Sequence, residues 1–428
     1  MNKFAMAFER HLTKQLGLFK NKIIFISGPR QAGKTFLITH CLKPDFELNM
    51  DVASERLRFK KMPEEIINWY ERSIGPFPKK ENLSPKPLVF IDEIHKVKGW
   101  RNLMKGTYDK THHVINYVAS GSSAFELRKQ DKGDSLAGRA VWFTLFPLSF
   151  REYVQSMAPE IDLAPAWKGK GLLREAIRSN FKHQKNLRGL WNIYAQHGSY
   201  PENLLQQNEI FLKQWLTDYQ AAMLDRDLRD LNLGKDVERV YRVYELLLEG
   251  MGSTYSINSL AQTLGVSPNT IKSDIRALQQ VLWGYDIPVC QISKAKQIRK
   301  EKKFYPMDFC FARYQTPLME GAPFESTVAC LLYRGLWPEI SGFLPHFKLG
   351  FYRDYQQHEI DFVLRDKKSI AIAIECKLKV KHGTGHLPYF EKHFKPTESL
   401  LVVEEENIFS VNDKITSVSI EVFASCLE

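Results

Sequence analysis

Two short stretches carry residue types at spacings that suit chemistry on phosphates. The first is GPRQAGKT at 28–35. It fits G-x-x-x-x-G-K-[ST], with the apolar run IIFISG (23–28) leading into it and the helix-forming run GKTFLITHCL leading out. In such a loop Gly28, Pro29, Arg30, Gln31, Ala32 and Gly33 wrap the phosphates, every one but Pro29 having a backbone N–H to offer their oxygens, and the helix start adds its positive end. Lys34 then reaches the outer phosphates of ATP, and Thr35 ligates Mg²⁺. The second stretch is HEIDFVLRDKKSIAIAIECKLK at 358–379, where Asp361, Glu375 and Lys377 lie on two short apolar runs. Two carboxylates and a lysine can hold a divalent cation and a water.

Positioning such groups takes strands. PLVFIDEI (87–94) ends in Asp92-Glu93, and an acid at the tip of a buried strand is costly unless it meets a cation. Asp92 is expected to hold the water shell of the magnesium, and Glu93 to act as general base on the attacking water. HVINYVASG (113–121) ends at Ser120, a candidate sensor of the γ-phosphate or simply the start of a turn. Strands alternating with helical segments predict an α/β domain on a parallel sheet, closing near FPLSFREYV (146–154).

Residues 155–235 read as mostly helical, interrupted at HGSYPEN (197–203). YSINSLAQTLGVSPNTIKSDIRALQQVL (255–282) follows the spacing of a helix-turn-helix, with Gly265 in the turn, Ser267 as N-cap and Pro268 at the first helical position. Its second helix would present Asn269, Thr270, Lys272, Ser273 and Arg276, which can contact the phosphates or base edges of double-stranded DNA. SKAKQIRKEKK (293–303) is expected to be an exposed wing or linker, either phosphate-binding or merely solvated.

In the 358–379 hairpin, a turn at RDKKS (365–369) would pair Leu364 with Ile370 and set Asp361 opposite Ala373. Glu375 then becomes the diagonal neighbour of Asp361 on one face, about 7–8 Å away. Ala371 and Ala373 would leave room beside them, while Ile360, Phe362, Ile372 and Ile374 face a core. Mg²⁺ would take Asp361, Glu375 and the Cys376 carbonyl, with Lys377 on the water. The competing reading is a Glu375–Lys377 pair on a solvated face.

The bulk properties suit this picture. The chain has 428 residues, 44% of them hydrophobic and 12% aromatic, so a folded protein of two or three domains is expected. Sixty Lys and Arg against 49 Asp and Glu give +11, a balance that favours polyanionic partners. The six cysteines are scattered without a C-x-x-C pair, which fits a reducing, cytoplasmic setting and argues against a disulfide scaffold or zinc site. No apolar run approaches the ~18–20 residues that cross a bilayer, and the N-terminal segment has no signal-peptide core.

Taken in order, GPRQAGKT, FIDEIHKVKGW (90–100), SGSSAFELRK (120–129), DSLAGR (134–139) and LFPLSFREYV (145–154) resemble a large prokaryotic family of AAA+/STAND-like P-loop ATPases. PENLL (201–205) and YQAAMLDRDLRDL (219–231) resemble its later motifs, so the likeness spans nearly the whole chain. His95 stands where the family commonly has Gln, and HGSYPE replaces a more glycine-rich version. The resemblance implies a P-loop parallel sheet (1–154), a helical lid and winged helix-turn-helix (155–303), and a C-terminal α/β domain of restriction-endonuclease-like fold (304–428). It further implies that Glu325 completes a PD-(D/E)XK metal set, and that Arg139 is an arginine finger acting in cis or, in a homo-oligomer, in trans. The expected function is Mg²⁺-dependent ATP hydrolysis coupled to a DNA-binding, nuclease-like half. Two others stay open: a STAND-like ATP-dependent switch with a catalytically silent C-terminal domain, and DNA binding without cleavage.

Overall fold

The structure is a computed structural model and describes all residues except 1–7, 20, 79–84, 122–135, 169–171, 231–235, 291–300, 316–320, 338–346 and 367–368. Ser122, Ser123, most of the basic run 293–303 and the tip of the 358–379 hairpin therefore lie outside the described residues. The chain splits into two compact units, one built on Arg10–Pro147 and one on Leu148–Gln279 and Trp283–Glu428.

In the first unit β1 (Ile23–Ser27), β2 (Phe46–Asn49), β3 (Leu88–Asp92), β4 (Asn116–Ser120) and β5 (Ala140–Thr144) form a sheet in the order β2-β3-β4-β1-β5. Every pairing is parallel. Their near-continuous apolar runs follow from burial on both faces. Phe25, Val89, Ile91, Tyr117 and Ala119 pack on one side with Trp100 and Met104; Ile26, Phe90 and Val118 pack on the other with Leu16, Leu37 and Ile38. Because β4 lies between β1 and β3, the carboxyl ends of these three strands stand side by side. In an open parallel sheet that edge is where ligands bind. β2 and β5, the two outer strands, were not singled out from the sequence.

The second unit begins with helices. Phe150–Met157 is opened by a capping box between Ser149 and Glu152, and Gln184–His197 and Glu209–Ala222 follow it. Further on, Ile257–Thr263 and Pro268–Gln280 are joined by a tight turn, and the Thr270 N–H donates to Ser267 Oγ at 3.1 Å. A hairpin of β6 (Gly284–Pro288) and β7 (Lys302–Pro306) comes next. Helix Ala322–Gly335 then precedes a six-stranded mixed sheet. It contains β8 (Lys348–Arg353), β9 (Glu359–Arg365), β10 (Ile370–Lys377), β11 (Glu398–Val403), β12 (Phe409–Asn412) and β13 (Ile415–Ser419), in the order β12-β13-β11-β10-β9-β8.

The hairpin and the sheet are joined. Val289 bridges Phe351 of β8, and Lys303 bridges Thr254. The expected boundary at 303/304 thus runs through β7. HGSYPEN, a break between helices, is buried from His197 to Tyr200. Ser199 donates through both its N–H and its hydroxyl to Asp308, and Arg334 donates to Ser199 Oγ (2.5 Å), Asp308 Oδ2 (3.3 Å) and the Tyr194 hydroxyl (3.3 Å).

Two expectations for the 358–379 hairpin are corrected. β9 and β10 pair Arg365 with Ile370 but Leu364 with Ile372, so a bulge at this point adds one residue to β10. Beyond it the register runs Val363–Ala373 and Phe362–Ile374, which brings Asp361 level with Glu375 rather than with Ala373. The acid-bearing face is also covered. Val363 and Ala373 are fully buried in a cluster with Leu387 and Phe390 of helix Leu387–Phe394. Ala373 therefore leaves no room for a substrate, and Glu375 is buried rather than on a solvated sheet face.

Candidate functional sites

The nucleotide loop is built by backbone conformations that its glycines permit. Gly28 has φ +153°, and a Cβ there would collide with the Leu145 carbonyl, whose carbon would lie 3.0 Å away. Gly33 lies in the left-handed region at φ 92°, just before Lys34 opens the short helix Lys34–Phe36, which continues as the π-helix Leu37–Leu42. Pro29 and Ala32 are buried; Gln31 and Thr35 are exposed. Buried Lys34 donates from Nζ to the carbonyls of Gly28 and Pro29, each at 2.9 Å. Arg10, which nothing in its sequence context marks, pins the loop from outside, donating to Ala32 O (3.0 Å) and Phe146 O (2.5 Å).

Asp92, Glu93 and Ser120 meet this loop at the strand ends. Asp92 accepts from Thr35 Oγ1 at 3.0 Å on Oδ2, and from the Ser120 hydroxyl and the Glu93 N–H (3.1 Å) on Oδ1. Ser120 therefore orients Asp92. Glu93 adopts φ 53°, which turns its carboxylate out of the strand direction. Burial pushes that carboxyl above the ordinary glutamate range, with nearby Lys34 opposing the shift. His95 Nδ1 lies 3.2 Å from Glu93 Oε2. His95, which stands where the resembled family commonly has Gln, therefore touches the candidate base.

Arg139 is not gathered here. It immediately precedes β5, at the amino end of the sheet, while the nucleotide loop is at the carboxyl end. Five strand residues at ~3.3 Å each put about 16 Å between those edges. Its guanidinium grips Asp109 at 2.6 and 3.1 Å.

In the second unit, helix Pro268–Gln280 buries Ile271, Asp274, Ile275, Ala277 and Leu278. Asn269, Lys272, Ser273 and Arg276 are exposed, and Thr270 is half-buried. Asp274 is held by Arg239 at 2.8 and 3.2 Å, which fixes the helix from its inner side.

Glu325, Asp361, Cys376 and Lys377 line an open cleft of about 620 Å³, together with Met251 to Ser253 and His382. Asp361 Oδ2 accepts the Cys376 N–H at 2.8 Å, while Glu375 Oε1 accepts from Lys377 at 2.9 Å. Glu375 is 4% exposed and, among the described residues, its Oε2 has no hydrogen-bond partner. Burial, then Glu325 and Glu375, push the Asp361 carboxyl well above the usual range, against Lys303 and the Cys376 N–H. Burial likewise raises the Glu375 carboxyl, with Lys377 opposing.

Lys303, read from the sequence as the end of an exposed basic run, is 1% exposed. Its Nζ lies 3.0 Å from Glu325 Oε1 and 2.6 Å from Glu359 Oε1, and sits over the Phe351 ring. Burial works against its charge, but Glu325, Asp361 and Glu359 outweigh that and hold its pKa above the ordinary lysine value. Tyr305, two residues along β7, donates to the same Glu325 oxygen at 2.5 Å. Among the described residues, no three His, Cys, Asp or Glu side chains are grouped as ligands for one metal ion. The donor set nevertheless has the chemistry for one: hard carboxylate oxygens on a cleft wall and one buried carboxylate oxygen without a partner.

Comparison with known proteins places the first unit. Residues 20–154 match the family model of an AAA domain. Residues 188–320 and 320–423 match two domains of unknown function, DUF8612 and DUF4143. An uncharacterised protein of Methanocaldococcus jannaschii is 23% identical over 427 residues, covering 90% of this chain and 81% of its own. One from Haemophilus influenzae is 21% identical over 414 residues, with 92% and 93% covered. Among solved structures, the Orc1 protein of Aeropyrum pernix in complex with DNA has a TM-score of 0.32 at 13% identity, over 75% of this chain and 93% of that one. The chain carries an AAA-type P-loop ATPase domain. Among the described residues, no helix is long and apolar enough to cross a membrane.

Proposed function

We propose that the first unit binds and hydrolyses ATP with Mg²⁺, and that its nucleotide state governs a DNA-binding, nuclease-like second unit. The observation that carries the ATPase reading is the convergence of Lys34, Thr35, Asp92, Glu93 and Ser120 at one sheet edge. The site suits magnesium nucleotide, since Thr35 Oγ1 and Asp92 Oδ2 already meet as a hydroxyl–carboxylate pair. Bound there, Mg²⁺ would offset charge on the outer phosphates. Lys34 would leave the loop carbonyls for a phosphate, and Glu93 would take a proton from the attacking water, with His95 fixing its carboxylate. Arg139, held by Asp109 at the opposite sheet edge, could serve as an arginine finger only in trans, toward the site of a neighbouring subunit.

The helices Ile257–Thr263 and Pro268–Gln280 with the β6–β7 hairpin support a winged-helix reading. Its exposed Lys272 and Arg276 suit phosphate contacts. Asp361, Glu375 and Lys377, with Glu325 facing them, support the nuclease-like reading of the last domain. One observation favours the alternative, an ATP-dependent switch with a silent C-terminal domain: Lys303 already neutralises part of the carboxylate set.

The test is ATP turnover by the purified chain and two variants. Lys34→Ala and Glu93→Gln should each lose hydrolysis by about two to three orders of magnitude, with Glu93→Gln still binding ATP. Undiminished turnover in both would remove the assignment. Plasmid incubated with the same preparations and Mn²⁺ separates the two readings of the second unit, through cleavage that Asp361→Ala abolishes.

A further inference from the structure

We infer that Lys303 is a built-in cation of the carboxylate cleft, supplied by the β6–β7 hairpin, which competes with a divalent ion for the Glu325–Asp361–Glu375 set. The inference rests on the nuclease-like reading of those carboxylates and adds to it a residue outside the hairpin that bears Asp361 and Glu375.

Geometry carries it. A fully buried ammonium needs anionic partners, and Lys303 finds two, Glu325 and Glu359, on different elements. Glu359 is in turn held by Arg353 at 3.0 Å, so it is compensated without Lys303. Glu325 has Tyr305, a neutral donor, as its other partner. Removing the Lys303 charge therefore leaves Glu325 and Asp361 facing the cleft with excess negative charge. Glu375 keeps Lys377 on one oxygen and, among the described residues, nothing on the other. A divalent ion entering this set meets the Lys303 charge within a few ångströms. Even at the dielectric constant of water, a unit charge about 5 Å from a divalent ion weakens its binding by roughly tenfold.

The experiment is Mn²⁺ binding to the full-length, nucleotide-free, EDTA-stripped chain, read by titration calorimetry and by the loss of the free-ion EPR signal. Lys303→Met should bind Mn²⁺ about tenfold or more tightly than the parent, Lys303→Arg should match the parent, and adding Asp361→Asn should abolish the gain. Because Lys303→Met removes the cation that Glu325 and Glu359 share, Lys303→Met/Glu359→Gln serves as a charge-balanced second variant and should show a smaller gain in the same direction, since the lost Glu359 charge also attracted the ion. Parent binding that is unchanged or weakened in both Met variants overturns the competition and leaves the metal site standing. No binding in parent or variants overturns the metal reading and the competition together.

Discussion

Replacing Gly28 by alanine tests whether the nucleotide loop has the backbone described. Two costs apply. A non-glycine residue at φ +153° is strained by about 1–3 kcal/mol, and its Cβ would press on the Leu145 carbonyl, an overpacking worth about a further 1–3 kcal/mol. Gly75 isolates the first cost, since it has φ +147° in the same unit with no atom within 4 Å of an added Cβ. Gly75→Ala should therefore cost only the strain. At about 3–4 °C per kcal/mol for a unit of this size, Gly28→Ala should melt ~3–10 °C below Gly75→Ala. Nucleotide binding separates them further. Gly28 O and Pro29 O hold Lys34 Nζ, so a displaced loop misplaces the lysine. Scanning calorimetry with a fluorescent ATP analogue reads both quantities. Equal melting and equal nucleotide affinity in the two variants would refute the loop geometry.

Two other outcomes follow from the same structure. Burial raises the Glu93 carboxyl, and a general base works only when ionised, so ATP turnover should fall on the acid side at a pH above that expected for an ordinary glutamate; a kcat–pH profile flat down to pH 4.5 would contradict this. Lys272→Ala/Arg276→Ala should weaken duplex binding about equally across sequences and reduce the slope of log K against log[salt] by about 2, measured by fluorescence anisotropy; an unchanged slope would place the contacts elsewhere.

What the sequence made legible follows from how local each signal is. GPRQAGKT was legible because a buried strand, its loop and its helix are contiguous in the chain, whereas Asp92 and Ser120 meet that loop only because β4 pairs with both β1 and β3. Arg10 and His95 were missed for opposite reasons. Arg10 acts over 22 and 136 residues of separation on carbonyls, which no side-chain pattern announces. His95 sits three residues from Asp92, but its contact with Glu93 depends on the positive φ of Glu93, a backbone choice invisible to spacing. In the C-terminal hairpin, alternation correctly separated the acids from Phe362 and Ile374, while the turn and the bulge each shifted the register by one residue, two in all. A one-residue insertion in a ladder leaves composition untouched.

The basic run shows where charge counting fails. Lys302 and Lys303 are adjacent in sequence and identical in type, yet Lys302 meets Asp286 at 44% exposure and Lys303 is 1% exposed. β-strand alternation sends them to opposite faces, one toward solvent and one into a cluster of carboxylates that could not be buried together without a cation. The same alternation brings Tyr305 to the face of Lys303, so two residues of β7 reach Glu325. The β6–β7 hairpin thus brings a buried ammonium and a phenol hydroxyl onto Glu325, a carboxylate that lines the cleft.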